Sequence, residues 1–349
     1  RGGTSSVSST RAGDVDDPVA FFLRDVELHG KSQRTREEYE RLLSRYQSFL
    51  AGRDGTPPEA AAHRDCTAFV HELRTDPELA ESTVATYAAY LHRFYAYMTQ
   101  VGAFDANPMA LVMEELDEQI DPDPTRREVT VPEMRSFLTG VTHPLERALI
   151  VTLLKSGMRV GELCNLDLRD LSLTGVDGYD LGGRPALEGR DDSVFVPAAP
   201  AVGETHNGEE RTASNKRKRD TVVPVDAELR ETLLVWLAVR PDTPSPARPL
   251  FVGTTSGWGE RLSPEQVQRI VREQAKRVGW YEQGAGVTEN VTPHYFRHFF
   301  TTHLRERTGE RGVVKYLRGD VADDIIDTYT HNWGGQVRET YERHVYELL

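Results

Sequence analysis

Leu154-Lys-Ser-Gly-Met-Arg-Val-Gly-Glu-Leu-Cys-Asn-Leu166 is the stretch whose reading decides the fold. A helix predicted from Pro144 runs through Lys155, and Gly157 ends it. Arg159 then projects from the turn into a second short helix, Val160 to Leu166. Glu162 follows three residues on, placed to pair with Arg159 and orient it. Alone, an Arg and a Glu at this spacing equally describe a solvated surface ion pair.

Further along, Thr292-Pro-His-Tyr-Phe-Arg-His-Phe-Phe300 opens with a helix start, Thr292 followed by Pro293. His294 and Arg297 fall one turn apart on the same face, and Phe296, Phe300 and Leu304 form a buried stripe on another. A guanidinium beside an imidazole near a helix N-terminus suits a phosphate, because the first-turn N–H groups are free and the dipole favours an anion. The same residues also fit the polar side of an ordinary amphipathic helix.

Outward from these stretches the chain divides. Residues 1–17, rich in Ser, Gly and Thr with no apolar period, read as a disordered tail. Residues 18–112 are helical, with helices at Pro18–Leu28, Arg34–Leu50, near Thr67–Arg74, and a fourth after the capping candidate Ser82. Tyr39, Leu42, Leu43, Tyr46 and Leu50 share one face of the second, and Val84, Tyr87, Leu91, Phe94 and Tyr95 share one face of the fourth. Residues 113–129, acidic and carrying Asp-Pro-Asp-Pro at 121–124, read as a linker. A second domain spans 130–349, opening on the helix cap Thr130. In it Ser193–Val196 and Thr221–Val225 read as strands separated by a polar loop, and helices are expected at Ala227–Val239 and Pro264–Val278. The fold class expected is mainly α with a small antiparallel β-sheet.

The composition fits a globular protein of two domains: 349 residues, 38% hydrophobic and 28% charged. No apolar run approaches the ~20 residues needed to span a bilayer, and no charged-then-apolar signal opens the sequence, so no membrane partner is expected. Cys66 and Cys164 match no metal spacing and no disulfide framework, which points to a reducing, cytoplasmic setting. The net charge of −13 argues at first sight against a polyanionic partner. The charge is uneven, however. Phe104 to Pro124 carries seven acids and no Lys or Arg, whereas Lys216-Arg-Lys-Arg219 is wholly basic. Lysine occurs only at positions 31, 155, 216, 218, 276 and 315, and abundant acid with scarce Lys resembles proteins of halophilic archaea.

Gly157-Met-Arg-Val-Gly-Glu-Leu163, His294-x-x-Arg-His298 and Tyr329-Thr-His331, in that order, resemble the signature of the tyrosine recombinases, the family of phage integrases and Xer proteins. The resemblance spans about Val131 to His331, and Ser82-Thr-Val-Ala-Thr-Tyr87 through Asn107-Pro108 resembles the family's helical, SAM-like core-binding domain. It implies that Arg159, Lys216, His294, Arg297 and Tyr329 assemble around one scissile phosphate. Lys216 matches the family's hairpin lysine ahead of a strand, with Lys218 the second candidate, and Arg217 and Arg219 read as a nonspecific nucleic-acid patch. Arg318-Gly-Asp320 departs from the family's Leu-Gly-His, so Asp320 stands where the second histidine (Trp in some members) is expected. A carboxylate there is expected to orient a base such as His298 or His331, or to be held by Arg318. Tyr329 is the expected nucleophile. Its rival, Tyr341, recurs with Val337, Val345 and Leu349 every four residues, the pattern of a packed helix face.

The chemistry so implied is attack on a DNA phosphodiester to form a 3′-phosphotyrosine. Bond energy is kept in that link, so neither a cofactor nor a metal is expected. The partners implied are double-stranded DNA and further copies of the chain, a tetramer on DNA. The last helix either docks on a neighbouring protomer or folds back on its own domain. Two alternatives are a type IB topoisomerase-like relaxase and a catalytically impaired DNA-binding relative, the latter favoured only by Asp320.

Overall fold

The computed structural model describes residues 17–29, 33–53, 55–117, 127–176, 179, 181, 183–283, 285, 289–320 and 333–349. The chain divides near Thr125 into two compact units, each with its own core. Residues 1–16 of the expected tail lie outside the described residues, and Asp17 is the cap of the first helix, accepting Val19 N–H and Ala20 N–H at 3.0 Å each.

The first unit is wholly helical among its described residues: α1 (Pro18–Leu28), α2 (Gln33–Arg53), α3 (His63–Thr75), α4 (Glu81–Gln100) and α5 (Met109–Asp117). The apolar faces read from the sequence meet in one core containing Phe22, Leu43, Tyr46, Phe69, Leu91, Phe94 and Tyr95. The buried hydroxyls are satisfied, Tyr46 with Tyr95 at 2.9 Å and Tyr95 to the Pro58 carbonyl at 2.9 Å. Ser82 is not the cap of α4. The helix starts one residue earlier, and the Ala80 carbonyl closes the first turn by accepting Thr83 N–H at 2.8 Å. The expected boundary at 112 falls inside α5, because Val112 and Leu116 are buried in this core.

The second unit is built round α7 (Pro144–Ser156), in which every residue from Ala148 to Ser156 is buried. Against it pack α9 (Ala227–Val239) and α11 (Pro293–Thr308). Preceding it is α6 (Val131–Thr139), capped by Thr130 in a reciprocal box with Glu133. The remaining helices are α8 (Val160–Cys164), α10 (Pro264–Arg277), α12 (Arg311–Arg318) and α13 (Trp333–His344). Val129, expected in the linker, belongs to this core, its N–H donating to the Tyr295 hydroxyl at 3.0 Å.

Strands β1 (Leu171–Ser172), β2 (Ser193–Val196) and β5 (Thr221–Pro224) form one antiparallel sheet in the order β1-β2-β5, with Val194 opposite Val223. The loop between β2 and β5 holds a further hairpin, β3 (Thr205–His206) and β4 (Glu209–Glu210), turned at Asn207-Gly208 with φ of 55° and 80°. Arg211 follows it into the interior, where its guanidinium meets Asp167 at 2.8 Å and Arg261 reaches the same carboxylate at 2.5 Å.

After α13 the chain closes over α7. Tyr341 and Tyr346 are fully buried, and their hydroxyls donate to the carbonyls of Lys155 and Leu154. Lys155, itself fully buried, donates to Asp226, Glu228 and the Tyr346 carbonyl, each at 2.5 Å. Glu228 in turn accepts the N–H groups of Leu348 and Leu349. Of the expected stripe, Val337 and Tyr341 lie on α13 and are buried in their own unit, but α13 ends at His344, so Val345 and Leu349 fall beyond it and Leu349 is exposed.

Candidate active site

The turn between α7 and α8 is the first piece of the site. Gly157 caps α7 in the left-handed region, φ 62°, and a Cβ there would lie 2.2 Å from the Phe300 ring. Only glycine therefore lets α7 turn this close to α11. Arg159 is the N-cap of α8. Its backbone N–H donates to Glu162 at 2.9 Å, and its Nη1 donates to the same carboxylate at 3.1 Å. The pairing expected from the sequence is present, but Glu162 is fully buried and not a solvated partner.

The second piece is α11, capped by Thr292 with Pro293 in its first turn. His294 sits exposed on that turn, whereas Arg297 is buried. Nη1 of Arg297 donates to the carbonyl oxygens of Gly157 at 2.7 Å and Arg318 at 3.0 Å. Its Nη2 donates to both oxygens of Asp320 at 2.8 Å. The third piece is the end of α12. Gly319 caps it with φ 72°, and Asp320 follows, its N–H bonded to the Lys315 carbonyl at 3.0 Å.

Asp320 is where the pieces meet. Besides Arg297, its carboxylate accepts from Arg159 Nη2 at 2.8 Å, and Arg318 Nη2 pairs with it as a charge at 2.9 Å. Arg318 was foreseen as a holder of this carboxylate, but Arg159 and Arg297 were not. Burial by itself would raise the carboxyl's pKa, yet the arginines outweigh it, led by Arg297, and hold the group below its ordinary value. Arg297 is pushed down to about 10 by burial and by the like charge of Arg159, opposed by Asp320.

The basic run divides in a way its sequence does not announce. Lys216 and Lys218 are exposed, but Arg217 is buried and is not part of a nucleic-acid patch. It donates to Glu162 at 3.0 Å and to the Leu317 carbonyl at 3.1 Å, joining the lysine loop to α8 and α12. A Cβ on Gly319 would come within 2.3 Å of its side chain, and Lys218 N–H bonds the Gly319 carbonyl at 3.2 Å. No feature of Lys216-Arg-Lys-Arg219 alone distinguishes the buried member. Arg219 lies over the Tyr316 ring at 5.5 Å.

Arg159, Arg297 and Asp320 are therefore in direct contact, and the loop bearing Lys216 is tied to the same turn. Tyr329 and His331 lie outside the described residues. Tyr341 is fully buried with its pKa raised by burial, so as placed it reaches no phosphate. What the described residues supply is a pair of forked cationic donors, drawn from α8 and α11, whose geometry fits a tetrahedral anion as well as a carboxylate.

Residues 203–334 match the Phage integrase family, and residues 19–102 match the Phage integrase, N-terminal SAM-like domain. The chain is similar, at 25% identity over 337 residues, to tyrosine recombinase XerC of Thermodesulfovibrio yellowstonii, covering 93% of this chain and 95% of that one. Tyrosine recombinase XerA of Pyrococcus horikoshii aligns at 24% identity, covering 94% of this chain and 93% of that one. Among solved structures, the Tn1549 transposon integrase in complex with transposon right end DNA shares the fold with a TM-score of 0.65 at 18% identity, covering 93% and 98% of the two chains. A lambda integrase dimer bound to a core site gives a TM-score of 0.59 at 15% identity, covering 88% and 95%. Each half of the chain so matches its counterpart in the same kind of protein, and the chain belongs to the tyrosine recombinases, enzymes that cut and rejoin DNA.

Proposed function

We propose that this chain is a site-specific recombinase that holds one DNA phosphodiester between Arg159 and Arg297 and attacks it with Tyr329. The observation that carries the reading is the convergence of two guanidinium groups, from α8 and α11, on one carboxylate at 2.8 Å. Two such groups neutralise the non-bridging oxygens and favour the charge that builds up as the nucleophile arrives. The Tyr329 oxygen forms the new bond to phosphorus as the bond to the 5′-oxygen breaks, leaving a 3′-phosphotyrosine. Lys216, exposed on its tethered loop, protonates the leaving 5′-oxygen, and His294, exposed on the first turn of α11, assists proton transfer. A 5′-hydroxyl from a second strand reverses the step.

Double-stranded DNA is the proposed partner, in keeping with the DNA-bound integrases that share the fold. Exchange between two duplexes requires four such sites, so the working form is proposed to be a tetramer on DNA. The packing of α13 on its own unit supports a helix that stays with its own protomer. The test is to incubate the chain with nicked candidate sites and look for an adduct that survives SDS. Its appearance in the parent and loss in Tyr329→Phe supports the reading. Tight binding with no adduct on any nicked site would leave a DNA-binding relative without strand cleavage.

A further inference from the structure

The arginine pair already holds an anion, and that anion belongs to the chain. Each Nη of a guanidinium carries two hydrogens. In Arg297, Nη1 donates to the Gly157 and Arg318 carbonyls, and Nη2 faces both oxygens of Asp320. A phosphate oxygen that takes both Arg297 Nη2 and Arg159 Nη2 therefore has to enter where the Asp320 carboxylate stands. The carbonyls are fixed where α7 and α12 end. The carboxylate is on a side chain that is 26% exposed. It is the acceptor free to leave, by rotation about its own bonds.

We propose that Asp320 is a competing internal anion, occupying the phosphate position between Arg159 and Arg297 in the free protein and leaving when a phosphate enters. Two anions in contact within one cradle disfavour each other, so both do not stay. The displacement sets a threshold. A phosphate on weakly held DNA lacks the binding energy to expel the carboxylate, whereas one delivered with many contacts elsewhere on the duplex succeeds. Asp320 is then a specificity-determining residue, converting binding energy gained far from the bond into access to the arginines. That the phosphate is one of DNA rests on the function proposed above, but the competition itself does not.

The experiment titrates inorganic phosphate onto the full chain by calorimetry at constant ionic strength, in the parent, Asp320→Asn and Asp320→Ser. Both variants are expected to bind phosphate on the order of tenfold more tightly or better, since juxtaposed like charges are costly. Arg297→Ala added to Asp320→Asn is expected to remove the gain, which locates it in the cradle. Equal affinities in all three proteins, or a gain that survives Arg297→Ala, would overturn the proposal. So would failure of both variants to fold by circular dichroism, because a carboxylate the fold cannot lose is not free to leave. On DNA, Asp320→Asn is expected to form proportionally more adduct on non-cognate duplexes than the parent does. A phosphate gain without adducts from any variant sinks the recombinase reading and spares the competing anion.

Discussion

The hydroxyl of Tyr341 donates to the backbone carbonyl of Lys155 at 2.9 Å, deep beneath α13. That bond, and the full burial of the ring, make Tyr341 a member of the core. Tyr341→Phe is expected to lower stability by about 1 to 3 kcal/mol, the cost of leaving a buried carbonyl unpaired, and to keep adduct formation. Tyr329→Phe is expected to keep stability and lose the adduct. Denaturant melts and SDS gels of the two variants check both halves, and the reverse pattern would move the nucleophile to Tyr341.

Gly157→Ala places a methyl group against the Phe300 ring at a backbone angle that side chains resist. The two costs together come to about 2 to 5 kcal/mol. The expected readout is a lowered Tm with activity falling further than stability, because the Gly157 carbonyl also positions Arg297. Gly157→Ala combined with Phe300→Leu relieves the contact but not the backbone angle, and is expected to recover only part of the Tm.

Asp167 sets an acid limit. Burial tends to raise its pKa, but Arg211 and Arg261 outweigh that and hold it below its ordinary value. Its folded value lies under the unfolded one, about 3.9. The stability it contributes is therefore complete above that pH and is lost as pH falls through the folded value. The Tm gap between the parent and Asp167→Asn is expected to stay constant from pH 7 to about 5 and to close only below about 4. A gap that already shrinks between pH 7 and 5 would contradict this.

The charge of −13, with only six lysines, motivates a fourth expectation, that folding and strand cleavage both need molar salt. Counterion release then adds little to DNA affinity, and direct contacts carry it. Full ellipticity and turnover in dilute buffer would count against it.

Much of this was legible because local signals coincide with tertiary ones. Thr130, Thr292 with Pro293, and Gly157 each specify a helix end from a few neighbouring residues, and all three ends are found. The hairpin at 205–210 carried its own signal, Asn207-Gly208, but its strands are two residues long and polar, so no alternation marked them. Arg217 was not legible. Among four consecutive basic residues, the buried one is chosen by Glu162 and the Leu317 carbonyl, which only the fold brings near. The same holds for Asp320: its place in the chain was evident, but its partners Arg159 and Arg297 come from α8 and α11.

The cluster at Lys155 has a consequence for how the protein is made. An ammonium buried in the second unit is balanced by Asp226, Glu228 and the carbonyl of Tyr346, and Glu228 is completed by the amides of Leu348 and Leu349. A buried charge left without its partners is strongly destabilising. While the chain is still emerging from the ribosome, then, the first unit has every described residue of its core by Leu116, but the second cannot close until Leu348 is out of the exit tunnel. The second unit is therefore held open, its Lys155 ammonium unbalanced, long after the first unit has what it needs to close.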